Sequence, residues 1–116
     1  MNALAGHMLG DWLLQNRWIA ANKRTSWVAL HLHVAIVTMS VVQFAGWWDY
    51  RGVLHYGAHL AIDGLALGKN WPDWFGMGDP DSRDPAPMWL RLMCDQAMHV
   101  ISLALIGMLP GGTPWV

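Results

Sequence analysis

Long apolar runs, interrupted by few charges, dominate the chain. Residues 25–48 form a stretch of 24 residues without a formal charge, and residues 96–116 form another of 21. Two weaker apolar stretches, 3–21 and 53–67, contain three charged residues between them. Because about 20 mostly apolar residues are enough to cross the hydrocarbon core of a bilayer, this pattern predicts an all-α, integral-membrane four-helix bundle.

The pattern predicts one transmembrane domain that occupies the whole chain, 1–116. Its four helices are expected over about 2–21, 27–48, 52–68 and 87–109. Gly57 and Gly64 in the third helix suit close helix contacts. The segment 69–86 is rich in Pro, Gly and Asp and predicts an irregular interfacial loop. A calcium site in its Asp cluster is the alternative to a solvated loop, although the spacing fits no known calcium loop.

Composition supports a membrane environment and excludes several classes of function. Only 15 of the 116 residues are charged, or 13%, and 54% are hydrophobic, whereas about 25% of an ordinary soluble domain is charged. The net charge of −1 gives no basic surface for nucleic acid. The single cysteine, Cys94, excludes an intramolecular disulfide and a cysteine-rich zinc module.

The cationic residues of the predicted connections lie mostly on one side of the bundle. That side holds Arg17, Lys23, Arg24, Lys69 and Arg83. The other side has only Arg51, so the positive-inside rule places the 1–2 and 3–4 connections in the cytoplasm. Tryptophans at both predicted boundaries, among them Trp47 and Trp48, are typical of interfacial belts, while Trp12 fits core filling better.

Three aspartates within the apolar segments each have a histidine four residues away. The pairs are His7–Asp11, His59–Asp63 and Asp95–His99. Residues four apart share one face of a helix. The second helix has no aspartate but offers His31, whereas His33 faces away from His31 and is interpreted as structural or lipid-facing.

A buried ionised carboxylate costs several kcal/mol in a membrane unless it is paired. A divalent cation can compensate several carboxylates at once, and imidazole with carboxylate is a normal zinc ligand set. We therefore predict a divalent metal ion, with zinc preferred, and a second ion is conceivable. The predicted ligands are His7, Asp11, His31, His59, Asp63, Asp95 and His99. Asp11 and Asp63 are the candidate catalytic residues, and Gln15 and Gln96 can supply supporting hydrogen bonds.

These motifs occur in a recognisable order. H-x3-D-x3-Q at 7–15 is followed by N-K at 22–23, His31, H-x3-D at 59–63 and D-Q-x2-H at 95–99. Over about 6–107 this order resembles a family of small bacterial and phage membrane proteins catalogued as a domain of unknown function. The resemblance implies a multi-pass protein of the bacterial inner (cytoplasmic) membrane but supplies no activity. A looser similarity is to predicted membrane-bound metal-dependent hydrolases.

Three functions are consistent with these features. The first is a metal-dependent hydrolase that acts on a lipid head group or another ester near the cytoplasmic leaflet, with membrane lipids as partners. The second is a non-catalytic small subunit or scaffold, either in a larger membrane complex or in a homo-oligomer, whose His/Asp network fixes helix packing. The third is proton or metal-ion passage, which would need a continuous polar path.

Overall fold

The computed structural model describes residues 2–77 and 86–113. Within these ranges the chain forms helices and no strands, which confirms the predicted all-α class. The helices are α1 (Asn2–Met8), a π-helical turn (Leu9–Leu13), α2 (Arg17–Asn22), α3 (Trp27–Ala45), α4 (Tyr50–Gly64), α5 (Leu67–Trp74) and α6 (Met88–Gly107).

Part of the predicted interfacial loop falls on residues 78–85, which lie outside the described residues, as do Trp115, Arg83 and most of the Asp cluster considered for calcium. The first part of that segment differs from the expected irregular loop. Residues 67–74 form α5, which contains Pro72.

The predicted first helix is interrupted. In the π-helical turn the Leu14 amide donates to the Leu9 carbonyl, five residues back, at 2.9 Å. The chain then leaves the helical conformation, and the Asn16 side chain caps α2 by accepting from the Ile19 amide at 2.8 Å. Turns of this type are frequent at functional sites, and this one contains buried Asp11.

Two glycines allow the backbones of α1 and α3 to approach closely. A Cβ atom at Gly6 would lie 2.5 Å from the Ser40 carbonyl oxygen. One at Gly10, in the π-helical turn, would lie 2.6 Å from the Val37 Cα. Small residues four apart serve this purpose in membrane helix pairs. The buried apolar cluster next to this contact comprises Val37, Val41, Val42, Trp47, Leu103 and Ile106.

Helix α5 is held against the first half of α6. A Cβ atom at Gly68 would lie only 2.3 Å from the Asp95 Cα, so the two backbones touch at this point. Arg91 donates hydrogen bonds to the Lys69 carbonyl at 2.7 Å and to Asp73 at 2.8 Å. These contacts fix α5 beside the segment of α6 that carries Asp95.

The two glycines of α4 differ in their surroundings. A Cβ atom added at Gly57 would meet no other atom within 4 Å among the described residues, so the expected close contact there is wrong. Gly64 does approach another helix, since a Cβ atom would lie 3.3 Å from Leu30. Of the pair, only Gly64 therefore serves close helix packing.

A network of hydrogen bonds around Asp49 stabilises the end of the molecule where α3 connects to α4. Its carboxylate caps α4, binds the Arg51 guanidinium at 2.7 Å and accepts from the Gly112 amide at 3.1 Å. The Tyr50 hydroxyl donates to the Pro110 carbonyl. The Arg51 guanidinium holds the pKa of the Asp49 carboxyl well below its usual range. The segment after α6 is thereby tied to the start of α4.

Large apolar side chains cover much of the outer surface. Two helices of the described ranges, α3 and α6, are long and apolar enough to cross a membrane, with 19 and 20 residues. Trp12 is 59% exposed, so its assignment to the core is wrong. Trp47 is buried in the apolar cluster and not at the surface as an interfacial belt would require.

Replacing Gly68 with alanine should separate α5 from α6, because the new methyl group would overlap the Asp95 backbone. Overpacking of this kind costs about 1–3 kcal/mol, and we expect a lower midpoint of thermal unfolding in detergent, measured by circular dichroism. Gly57→Ala is the matched control and should be neutral or slightly stabilising, since alanine favours a helix. Equal destabilisation by the two substitutions would contradict the packing described here.

Candidate metal centre

The surface of this molecule is largely apolar, but a group of polar side chains lies in its interior. Five of the six histidines are fully buried, and three aspartates lie among them with little exposure. They come from α1 (His7), the π-helical turn (Asp11), α3 (His33), α4 (His55, His59 and Asp63) and α6 (Asp95 and His99). Five helical elements thus contribute to one cluster.

Asp63 lies at the centre of this cluster. Its Oδ2 atom is 3.0 Å from His33 Nε2 and 3.1 Å from His59 Nε2. Its Oδ1 atom is 3.3 Å from His99 Nε2. The two oxygens of one carboxylate therefore contact imidazoles of three different helices.

Asp11 approaches the same imidazoles from the π-helical turn. Its Oδ1 atom is 3.0 Å from His33 Nε2 and 3.9 Å from His59 Nε2. Its Oδ2 atom accepts a hydrogen bond from the Gln96 amide at 3.2 Å. Gln96 also lies 3.3 Å from His7 Nε2 and donates to Asp95 at 3.4 Å, as expected for a supporting residue.

A backbone carbonyl and a hydroxyl group orient two of the imidazole rings in the cluster. His99 Nδ1 is 2.7 Å from the Asp95 backbone carbonyl, an acceptor that requires the proton on Nδ1. This places a proton on Nδ1, while Nε2 faces Asp63 Oδ1. His55 Nδ1 is similarly bonded to the Thr38 hydroxyl at 2.9 Å. Such outer contacts are typical of histidines that bind metals.

Several buried polar atoms of the cluster lack a hydrogen-bond partner among the described residues. They are His7 Nδ1, His59 Nδ1 and Asp95 Oδ1. Buried polar groups are almost always hydrogen-bonded, because the loss of water must be compensated. Orphaned atoms concentrated in one place therefore fit a centre whose donors serve an ion.

Three groups of side chains in the described residues could hold a metal ion. They are His7, His55 and His59; Asp11, His33, His59 and Asp63; and Asp63, Asp95 and His99. Within each group the ligand atoms lie within 4.8 Å of one another. His59 and Asp63 each belong to two groups, so the groups form one continuous site.

Comparison with known proteins relates the whole chain to a family of unknown function. Residues 1–113 match the family described as "Protein of unknown function (DUF3307)". The chain belongs to the DUF3307 family. No curated protein and no solved structure matches it. The chemistry of this DUF3307 chain must therefore be inferred from its own side chains.

In this DUF3307 chain six of the seven residues predicted as ligands lie together, whereas His31 lies apart from them. The six are His7, Asp11, His59, Asp63, Asp95 and His99. His31 is exposed and hydrogen-bonded to the Tyr56 hydroxyl. Two residues along a helix correspond to a rotation of about 200°, so His31 and His33 occupy opposite faces of α3.

His33 is the ligand candidate of α3, although it lies in no His–Asp pair four residues apart. Of its two interpretations from the sequence, structural or lipid-facing, the lipid-facing alternative is wrong. His33 is buried between Asp11 and Asp63. The sequence contains one signal that could have identified His33. Val37 and Val41 follow it at intervals of four residues. Both valines are fully buried, and residues four apart share one helix face.

Proposed function

We propose that this protein is an integral membrane protein with a metal centre in its interior. Support for the membrane comes from the distribution of side chains, since Trp27 is 72% and Trp89 is 64% exposed while the histidines of the cluster are buried. Only 22% of the most apolar segment of helix α6 is buried, unlike the core helix of a soluble protein. Apolar surface on this scale is rare in soluble monomers.

The spacing of three donor atoms, from His33, His59 and Asp63, carries the proposal of a metal ion. A tetrahedral ion with bonds of about 2.1 Å separates its ligand atoms by about 3.4 Å. His33 Nε2 lies 3.0 Å from Asp63 Oδ2 and 3.2 Å from His59 Nε2, and His59 Nε2 lies 3.1 Å from Asp63 Oδ2. Small adjustments would place these atoms at ligand distances, and zinc is the metal that this mixed set favours.

A second ion would be held by the other side of Asp63. His99 Nε2 lies 3.3 Å from Asp63 Oδ1, and Asp95 completes this group. Asp63 belongs to both groups, so it would contribute to holding each ion.

We assign hydrolysis of an ester at the cytoplasmic leaflet to this centre, with membrane lipids as the source of substrate. A bound metal ion would polarise the ester. Of the two candidate catalytic residues, Asp63 contacts three imidazoles and serves as ligand. Asp11 lines a cavity beside the cluster and is oriented by Gln96, so it is the general base that accepts a proton from water.

A scaffold without catalysis is the second candidate. It is favoured by the direct contacts of His33, His59 and His99 with Asp63, which link α3, α4 and α6 without an ion. A scaffold would bind no stoichiometric metal, and its stability would not depend on metal. The same network would then fix helix packing in a homo-oligomer or a larger complex.

The metal proposal predicts at least one zinc ion per chain in protein purified in detergent, measured by elemental mass spectrometry. His33→Ala and His59→Ala should remove most of this metal, whereas His31→Ala, from the opposite face of α3, should retain it. Wild-type protein without stoichiometric metal, or equal loss in all three variants, would favour the scaffold.

Catalysis by Asp11 predicts that Asp11→Asn retains metal but hydrolyses a chromogenic ester in mixed micelles about 10²–10⁴-fold more slowly, the usual contribution of a general base. His31→Ala serves as the control and should keep wild-type activity. Unchanged hydrolysis by a metal-loaded Asp11→Asn variant would exclude Asp11 as the base.

A further inference from the structure

Two cavities reach the His/Asp cluster from the end of the molecule that carries Lys23. The first, of about 270 Å³, is lined by Asp11, Gln15, Lys23, Lys69, Asp95 and Gln96, among others. The second, of about 220 Å³, is lined by Lys23, Arg24 and Asp63, among others. Lys23 borders both cavities, so both approaches to the cluster pass a cationic side chain.

The two lysines of the first cavity have no acidic partner among the residues that the structure describes. Neither Lys23 nor Lys69 makes an ion pair with any residue in 2–77 or 86–113. Burial lowers the pKa of the Lys69 amine, because removal from water disfavours the charged form. An anion bound beside Lys69 would stabilise that charge.

Other cations of the molecule are used differently. Arg51 is paired with Asp49, and Arg91 is bonded to Asp73 and to two backbone carbonyls. These arginines fix helix ends, whereas Lys23 and Lys69 border a cavity. The cavity volume is near the lower end of small-molecule sites, about 300 Å³, so it fits a small anionic group better than a whole lipid.

We propose that the cavity between Lys23 and Lys69 binds the phosphate group of a phosphate ester and presents it to the metal centre. This inference rests on the proposed metal site, because Asp11 and Asp95 in the same wall would repel an anion unless cations compensated them. Lysine ammonium groups are common phosphate donors. The phosphate belongs either to a lipid head group or to a water-soluble ester, and both share this chemistry.

The test uses zinc-loaded full-length protein in neutral detergent, with free metal removed, and calorimetric titration with inorganic phosphate. Lys23→Gln combined with Lys69→Gln should weaken phosphate binding about tenfold or more, as expected for loss of charged hydrogen bonds. Arg17→Gln is the matched control, since this exposed cation borders neither cavity, and its affinity should equal that of the wild type.

The metal content of each sample separates the two proposals. Protein that binds no metal contradicts the metal centre itself. Metal-loaded wild type that fails to bind phosphate, or equal weakening by the double variant and Arg17→Gln, overturns only the phosphate site.

Chemical labelling of the wild type provides a measurement that does not depend on folding of a variant. Phosphate should protect Lys23 and Lys69 from acetylation, detected by mass spectrometry, and labelling unchanged by phosphate would contradict the site. Titration with glycerol phosphate and with phosphatidic acid in mixed micelles then identifies the source. Tighter binding of phosphatidic acid than of glycerol phosphate would identify a lipid as the source of the phosphate. Equal binding of the two would identify a water-soluble ester.

Discussion

The burial of three carboxylates in an apolar molecule is the constraint on which the rest of this structure depends. Asp11, Asp63 and Asp95 each lie where an unpaired charge would cost several kcal/mol. Imidazoles from α1, α3, α4 and α6 surround them, so the acids can be compensated only when all these helices assemble. The same assembly leaves donor atoms without partners, which a metal ion would satisfy.

Close backbone contacts occur next to the residues of the cluster. Gly6 precedes His7, Gly10 precedes Asp11, and Gly68 lies against the Asp95 backbone. Because glycine has no side chain, the helix backbones approach more closely at these positions than other residues would allow. The small residues therefore set the positions of the polar groups, and packing and chemistry at this site cannot be separated.

Local sequence predicted the members of the cluster better than their arrangement. The spacing of four residues identified His7, His59 and His99 with their aspartates, because one turn of a helix brings such residues to one face. The pairing of histidine with aspartate did not identify His33, because α3 contains no aspartate. The inward face of α3 is indicated only by the steps of four from His33 to Val37 and Val41. The spacing of four also could not predict the π-helical turn around Asp11, or α5, which is held by contacts such as that of Gly68 with α6.

X-ray absorption spectroscopy of the purified, zinc-loaded protein tests the central claim most directly. A metal bound in the His/Asp cluster should give a first shell of nitrogen and oxygen at about 2.0–2.2 Å with the outer-shell scattering of imidazole. That scattering should weaken in His33→Ala and remain in His31→Ala. A shell without imidazole, or one that His33→Ala leaves unchanged, would contradict a metal centre in the interior of this protein.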